Sequence, residues 1–117
     1  MSLCKEIDPQ QARQLLESRS ETLVIDLRDD HSFKLDRHPK AQRLDESTLK
    51  RLLKQGDRKT PIIVICYHGN SSRDISKMLS DFGFSDSYSL QGGYEAWKNF
   101  LNSNEINTPE TLRSLAL

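Results

Sequence analysis

Ile62-Ile63-Val64-Ile65-Cys66-Tyr67-His68-Gly69-Asn70-Ser71-Ser72 is the stretch whose reading decides the fold. Its four β-branched apolar residues in a row predict a short strand buried on both faces, as in a parallel sheet. The strand halts at a cysteine. Beyond it Ile75, Met78, Leu79 and Phe82 recur at helical spacing, with Ser71 as the expected cap and Asp74 completing a capping box. Cys66 is thus placed at the carboxyl end of a central strand, facing a tight loop and a helix amino terminus. In open α/β sheets ligands bind there. Unpaired loop amides and the helix dipole favour a thiolate at that point. A small core residue ending an apolar strand fits the spacing equally well.

The residues behind the cysteine weigh toward chemistry. Gly69 permits backbone conformations that turn amides inward, Asn70 tolerates them, and the serines add hydroxyl donors. Such a cup of amides forms a nest for an anion or an anionic sulfur.

Outward from this stretch, strands and helices alternate. Leu3 to Ile7 reads as an edge strand, and Asp8 caps a helix with Pro9 first and Gln11 three residues after the cap. Ala12, Leu15 and Leu16 form the apolar stripe of that helix. Leu23 to Asp26 is a second strand. The segment from Asp29 to Ala41 is expected to hold one helical turn and a loop. Leu49, Leu52 and Leu53 mark a helix that Gly56 ends, and after the cysteine loop a helix from Ser72 to Phe82 stops at Gly83. Ser87 to Leu90 is a further strand. Gly92 and Gly93 turn into a helix carrying Tyr94, Trp97, Phe100 and Leu101, with a polar break from Asn102 to Asn107. Thr108-Pro109 then opens a short helix with Leu112 and Leu115 inward. The expected fold class is α/β, a small parallel β-sheet flanked by helices on both faces. One domain spans 1–117, with its core at about 5–100 and an extension with a short helix at 102–117.

Bulk composition excludes several function classes. Lys plus Arg and Asp plus Glu balance at 17 each, so no surface for nucleic acid or an anionic membrane is expected. No apolar run is long enough to span a bilayer, and Met1 to Asp8 has no signal-peptide pattern. The two cysteines, Cys4 and Cys66, make no disulfide framework, which favours a reduced, cytoplasmic protein. His31, His38 and His68 lack metal-ligand spacing, so neither a metal nor another cofactor is expected. Cys4 reads as a packing residue. Asp26 and Arg28 are compatible with a catalytic acid and anchor, but a structural ion pair bracing the loops is favoured. His38 reads as a hydrogen-bonding structural histidine, and Trp97 as core.

Cys66-Tyr67-His68-Gly69-Asn70-Ser71-Ser72 resembles the active-site loop of single-domain rhodaneses, the thiosulfate sulfurtransferases, and especially their GlpE type. Leu23-Val24-Ile25-Asp26-Leu27-Arg28 resembles the first signature of that family, an apolar strand ending in Asp-x-Arg. Gln91-Gly92-Gly93-Tyr94-Glu95-Ala96-Trp97 resembles its closing one. Asp36-Arg37-His38-Pro39-Lys40-Ala41 matches the family's Gly-His-Ile-Pro-Gly-Ala only loosely.

The resemblance implies sulfur transfer through a Cys66 persulfide, with thiosulfate as donor and cyanide, a small thiol or a thioredoxin-like dithiol protein as acceptor. Tyr67, His68, Gly69, Asn70 and Ser71 are then expected to donate backbone amides. His68 is a candidate for partial positive charge, the Ser71 hydroxyl for a substrate contact or a helix cap, and Arg73 for attraction of the dianion or a solvated surface position. Two rivals share the scaffold. Cysteine-dependent phosphatases and arsenate reductases place an arginine after five intervening residues, where this chain has Ser72, with Arg73 one step beyond. Non-catalytic rhodanese-like binding modules typically lose the cysteine, which is present here.

Overall fold

A computed structural model describes residues 5–107, with side chains to residue 103. Its five strands are β1 (Lys5–Ile7), β2 (Leu23–Asp26), β3 (Ala41–Arg43), β4 (Ile62–Ile65) and β5 (Ser87–Leu90). They form one sheet in the order β1-β5-β4-β2-β3, and every pairing is parallel. Parallel strands need crossovers; the first four of five helices provide them and the fifth follows β5. These are α1 (Pro9–Ser18), α2 (Asp30–Leu35), α3 (Glu46–Gln55), α4 (Ser71–Asp81) and α5 (Gly93–Asn107).

The central strand β4 has a neighbour on each side and helices over both faces. Ile62, Ile63, Val64 and Ile65 are accordingly no more than 1 % exposed, each side chain stabilising the fold by about 2 kcal/mol. Strand alternation divides them. Ile63 and Ile65 join Val24, Leu90, Ala12, Tyr94 and Trp97 on the α1/α5 face. Ile62 and Val64 join Ile25, Leu52, Leu79 and Phe84 on the α3/α4 face. The expected α/β architecture with helices on both faces is the one observed.

Asp8 caps α1 as expected, its carboxylate accepting the Gln11 amide at 2.8 Å while the Gln11 side chain accepts the Asp8 amide at 2.9 Å. Gly56 ends α3, but its φ is −66°, so a left-handed turn is not its reason. A Cβ there would come within 2.4 Å of the Leu52 carbonyl oxygen, and close approach selects the glycine.

Four expectations are corrected. β3 is an unanticipated strand, the expected loop running up to Ala41; Ala41-Gln42-Arg43 pairs with β2 alone at the sheet edge and carries no apolar run to announce it. α5 continues through the anticipated polar break to Asn107, because polar side chains do not by themselves interrupt a helix's backbone bonds. α4 begins at Ser71 with Asn70 as N-cap and no side-chain cap bond, so Ser71 is not the cap and the capping box with Asp74 is absent. Phe82 is the C-cap of α4 and is 53 % exposed rather than part of its buried stripe. Cys4 and the terminal helix anticipated from Thr108 lie outside the described residues.

Candidate active site

β4 delivers Cys66 to the carboxyl edge of the sheet, and the chain then folds tightly back into α4. The thiol is free and only 4 % exposed. Two peptide N–H groups point at it: Gly69 N lies 3.1 Å from Sγ and Ser72 N 3.4 Å. Ser72 Oγ is 3.2 Å from the same sulfur. The first amides of a helix lack intrahelical acceptors and need one from outside. Here Cys66 Sγ takes the place of a capping oxygen, which accounts for the missing side-chain cap on α4.

Burial pushes the Cys66 thiol up, but the Ser72 hydroxyl and the amides of Ser72, Gly69 and His68 oppose it and bring the group below the ordinary thiol value. Hydrogen bonds to the ionised sulfur win over desolvation. The sulfur is therefore not sealed among aliphatic neighbours. Cys66, Tyr67, His68, Asn70 and Ser71 line a cleft of ≈ 140 Å³. A larger groove of ≈ 300 Å³ between α3 and the β2/β3 edge has no thiol, carboxylate or imidazole in its lining, and its one charged side chain is Arg51.

Gly69 adopts a φ of +91°, the left-handed region that glycine enters without strain, and this turn aims its amide at the sulfur. A Cβ on Gly69 would also lie 2.8 Å from the Gly92 nitrogen, so the cysteine loop and the glycine turn are packed backbone to backbone. The Tyr67 hydroxyl is bonded to the Asp29 carboxylate and accepts the Asp29 amide at 3.2 Å, tying the loop to the N-cap of α2. At the cleft mouth His68 Nδ1 meets Glu95 Oε2 at 3.0 Å, with both side chains largely exposed.

Arg73 does not line the cleft. Its guanidinium donates to Asn70 Oδ1 at 3.1 Å and stands 3.6 Å from Glu6 Oε1. The expected residues Cys66, Tyr67, His68, Asn70 and Ser71 are thus brought together, Gly69 faces the sulfur from beneath, and Arg73 is turned aside. Ser72 is the residue that sequence reasoning missed. Its sequence reading goes no further than a hydroxyl donor in the loop, a helix start and a position without arginine, although a serine six positions after the cysteine, in the first helical turn, already marks a hydroxyl within reach of the sulfur.

Asp26 and Arg28 form a buried pair behind the loop. The Arg28 guanidinium donates to the Asp26 carboxylate at 2.8 and 3.1 Å and to the Asp36 carbonyl at 2.6 Å, and it lies 3.8 Å over the Tyr94 ring. The contacts of this pair run from one to the other, to the Asp36 carbonyl and to the Tyr94 ring, which is the pattern of an ion pair bracing the loops. His38 is buried; its Nδ1 accepts the Lys40 amide at 3.0 Å, and its ring stands 4.9 Å from that of Trp97, the surroundings expected of a hydrogen-bonding structural histidine. Among the described residues no group of three or more His, Cys, Asp or Glu side chains is arranged to hold a metal, and no helix is long and apolar enough to cross a membrane.

The family profile of the rhodanese-like domain matches residues 8–100. The chain is 39 % identical over 99 residues to the thiosulfate sulfurtransferase GlpE of Pseudomonas fluorescens, covering 85 % of this chain and 89 % of that protein. It is 42 % identical over 98 residues to the thiosulfate sulfurtransferase GlpE of Ectopseudomonas mendocina, covering 84 % and 88 % respectively. The solved structure of the human single-domain sulfurtransferase TSTD1 shares the fold with a TM-score of 0.70 at 15 % identity, over 82 % of this chain and 96 % of that one.

Proposed function

The chain belongs to the rhodanese-like domain family, and from that premise we propose that it is a thiosulfate sulfurtransferase with Cys66 as its sulfur carrier. The observation that supports this reading best is the pair of peptide N–H groups, from Gly69 and Ser72, directed at Cys66 Sγ. They favour the thiolate, which is the nucleophile.

In the first step the Cys66 thiolate attacks the outer sulfur of thiosulfate. The new S–S bond forms as the old one breaks, and sulfite leaves with the electron pair. Cys66 is left as an anionic persulfide, held by the same amides in the manner of an oxyanion hole. In the second step cyanide attacks the terminal sulfur, thiocyanate departs and the Cys66 thiolate is restored. A small thiol or a thioredoxin-like dithiol takes the place of cyanide in the cell. No general base is needed, since the nucleophile is already ionised, and the kinetics are ping-pong.

The cleft-lining residues fit supporting roles: Tyr67, His68, Asn70 and Ser71 surround the space a sulfonate would fill, where their amides and the His68 imidazole would serve its oxygens. Arg73 is assigned no more than a contribution to the surrounding field. Phosphate chemistry is disfavoured, because Ser72 stands where a phosphate clamp would need arginine and Arg73 is held by Asn70 and Glu6. With charge and apolar patterning both unremarkable, a cytoplasmic location is the simplest assignment.

The test is a mass measurement on the Cys66 peptide after thiosulfate treatment. The reading expects a gain of one sulfur atom that cyanide removes, and neither event in Cys66→Ala. Turnover of an aryl phosphate without a persulfide would establish the phosphatase instead, and silence in both assays the binding module.

A further inference from the structure

Ser72 and Ser89 are both fully buried, and their hydroxyl oxygens lie 2.6 Å apart. Ser72 sits in the first turn of α4 and Ser89 in β5. Since Ser72 Oγ is also 3.2 Å from Cys66 Sγ, three polar atoms from three elements form a chain leading from the sulfur into the sheet. A second buried pair, Ser87 and Ser76, bonds at 3.2 Å one helical turn further along the same α4–β5 interface, with no sulfur at its end.

A serine hydroxyl has one hydrogen to give and lone pairs to receive. Beside a neutral thiol the chain runs inward: S–H donates to Ser72, and Ser72 donates to Ser89. Beside an ionised sulfur the chain must reverse, with Ser89 donating to Ser72 and Ser72 donating to Sγ. Both directions leave Ser72 satisfied, but the charged one gains more, because hydrogen bonds to an ion are about twice as strong as neutral ones. Successive donors also polarise one another in a dry interior.

We infer that Ser89 is a positioning residue for the sulfur-transfer reaction, acting through Ser72 to turn the Ser72 hydroxyl hydrogen toward ionised Cys66. The inference rests on the reading of Cys66 as the reactive thiolate. Ser89 itself touches neither the sulfur nor the cleft. What it supplies is the donor that keeps the Ser72 oxygen occupied while its hydrogen serves the anion.

The experiment is the pH dependence of iodoacetamide alkylation, followed by mass at the Cys66 peptide, in the whole chain and its variants. Ser89→Ala is expected to raise the apparent pKa of Cys66 and slow alkylation at pH 7 by about threefold, in keeping with the loss of one modest hydrogen bond. In a Ser72→Ala background the same change is expected to do nothing, because the link is already cut. Ser87→Ala, which breaks the equivalent pair without the sulfur, is expected to leave the profile in place.

An unchanged profile in Ser89→Ala overturns the inference. So does an equal, additive shift in the Ser72→Ala background, or a matching shift in Ser87→Ala, which would mark general loosening of the interface. If Ser89→Ala does not fold, Ser89→Cys, which fills the site with a bulkier and weaker donor, is read in the same way. Alkylation needs no sulfur donor, so a wild type that fails to form a persulfide sinks the proposed activity and leaves this result standing. A normal persulfide with an unmoved Ser89→Ala profile does the opposite.

Discussion

The Tyr94 amide donates to the Cys66 carbonyl oxygen at 2.8 Å, so the glycine turn that opens α5 is fastened to the residue carrying the reactive sulfur. The turn can come this close only because it is bare. Gly93 has a φ of +63°, and a Cβ on it would fall 2.4 Å from that same carbonyl oxygen and 2.5 Å from the Tyr67 backbone.

Gly93→Ala therefore faces both a left-handed conformation, at about 1–2 kcal/mol, and a collision with main chain that has no room to retreat. The expected outcome is a lower melting temperature and a loss of sulfur transfer of at least about tenfold, since the loop must shift by a sizeable fraction of an ångström. A variant that melts and turns over like wild type would show that the two turns are not so tightly joined.

The Asp26–Arg28 pair is buried and bonded on several sides, so removing one partner strands a buried charge. Arg28→Ala is expected to cost about 3–5 kcal/mol in urea unfolding. The double change Asp26→Ala with Arg28→Ala should cost clearly less than the sum of the two singles. Additive costs would mean that the ion pair is not the source of the loss.

Cys66 should react as a thiolate below the pH at which a free cysteine does. Its folded value is depressed, with hydrogen bonds from Ser72, Gly69 and His68 outweighing the burial that raises it. Ionisation thus adds stability that is fully present above the unfolded thiol's value of about 8.5 and is lost as pH falls through the lower folded value. The stability gap between wild type and Cys66→Ala should widen as pH rises through that window. Denaturant titrations at a series of pH values check it, and a gap that narrows would contradict the sign.

His38 titrates in the opposite chemical sense, because burial, with a contribution from Lys40, lowers its value and keeps the ring neutral in the fold. The unfolded chain takes up a proton near pH 6.5 and the native state does so only at lower pH. Stability is intact above that value and declines as pH falls through the folded one. Imidazole NMR should place the His38 midpoint below 6.5, and His38→Asn should flatten this part of the acid slope.

Much of this architecture is legible in the residues, for a physical reason. Ile62 to Ile65 are apolar on both faces because β4 is covered on both faces, and burial leaves a mark on composition. Ala41 to Arg43 have a single neighbouring strand and only one small apolar side chain, so little in their composition declares a strand. The same contrast runs through the site. Cys66 and Gly69 announce themselves by type and position, whereas the N-cap falls to Asn70, not Ser71, because a sulfur three-dimensionally close but four residues back fills the acceptor's place. Arg73 reads as a candidate from its charge. Only the positions of Asn70 and Glu6 reveal where that charge is spent.

The Gly69 and Ser72 groups that face the nucleophile belong to the polypeptide's own spine. Every residue except proline carries such an N–H, so the cradle is written mainly in the path of the chain, with the bare Gly69 and the Ser72 hydroxyl the identities it still requires. The side chains of Tyr67, His68 and Asn70, which ring the opening, carry none of those contacts to the sulfur. A lineage could rewrite them to suit a new sulfur donor or recipient while the carrier beneath went on working as before.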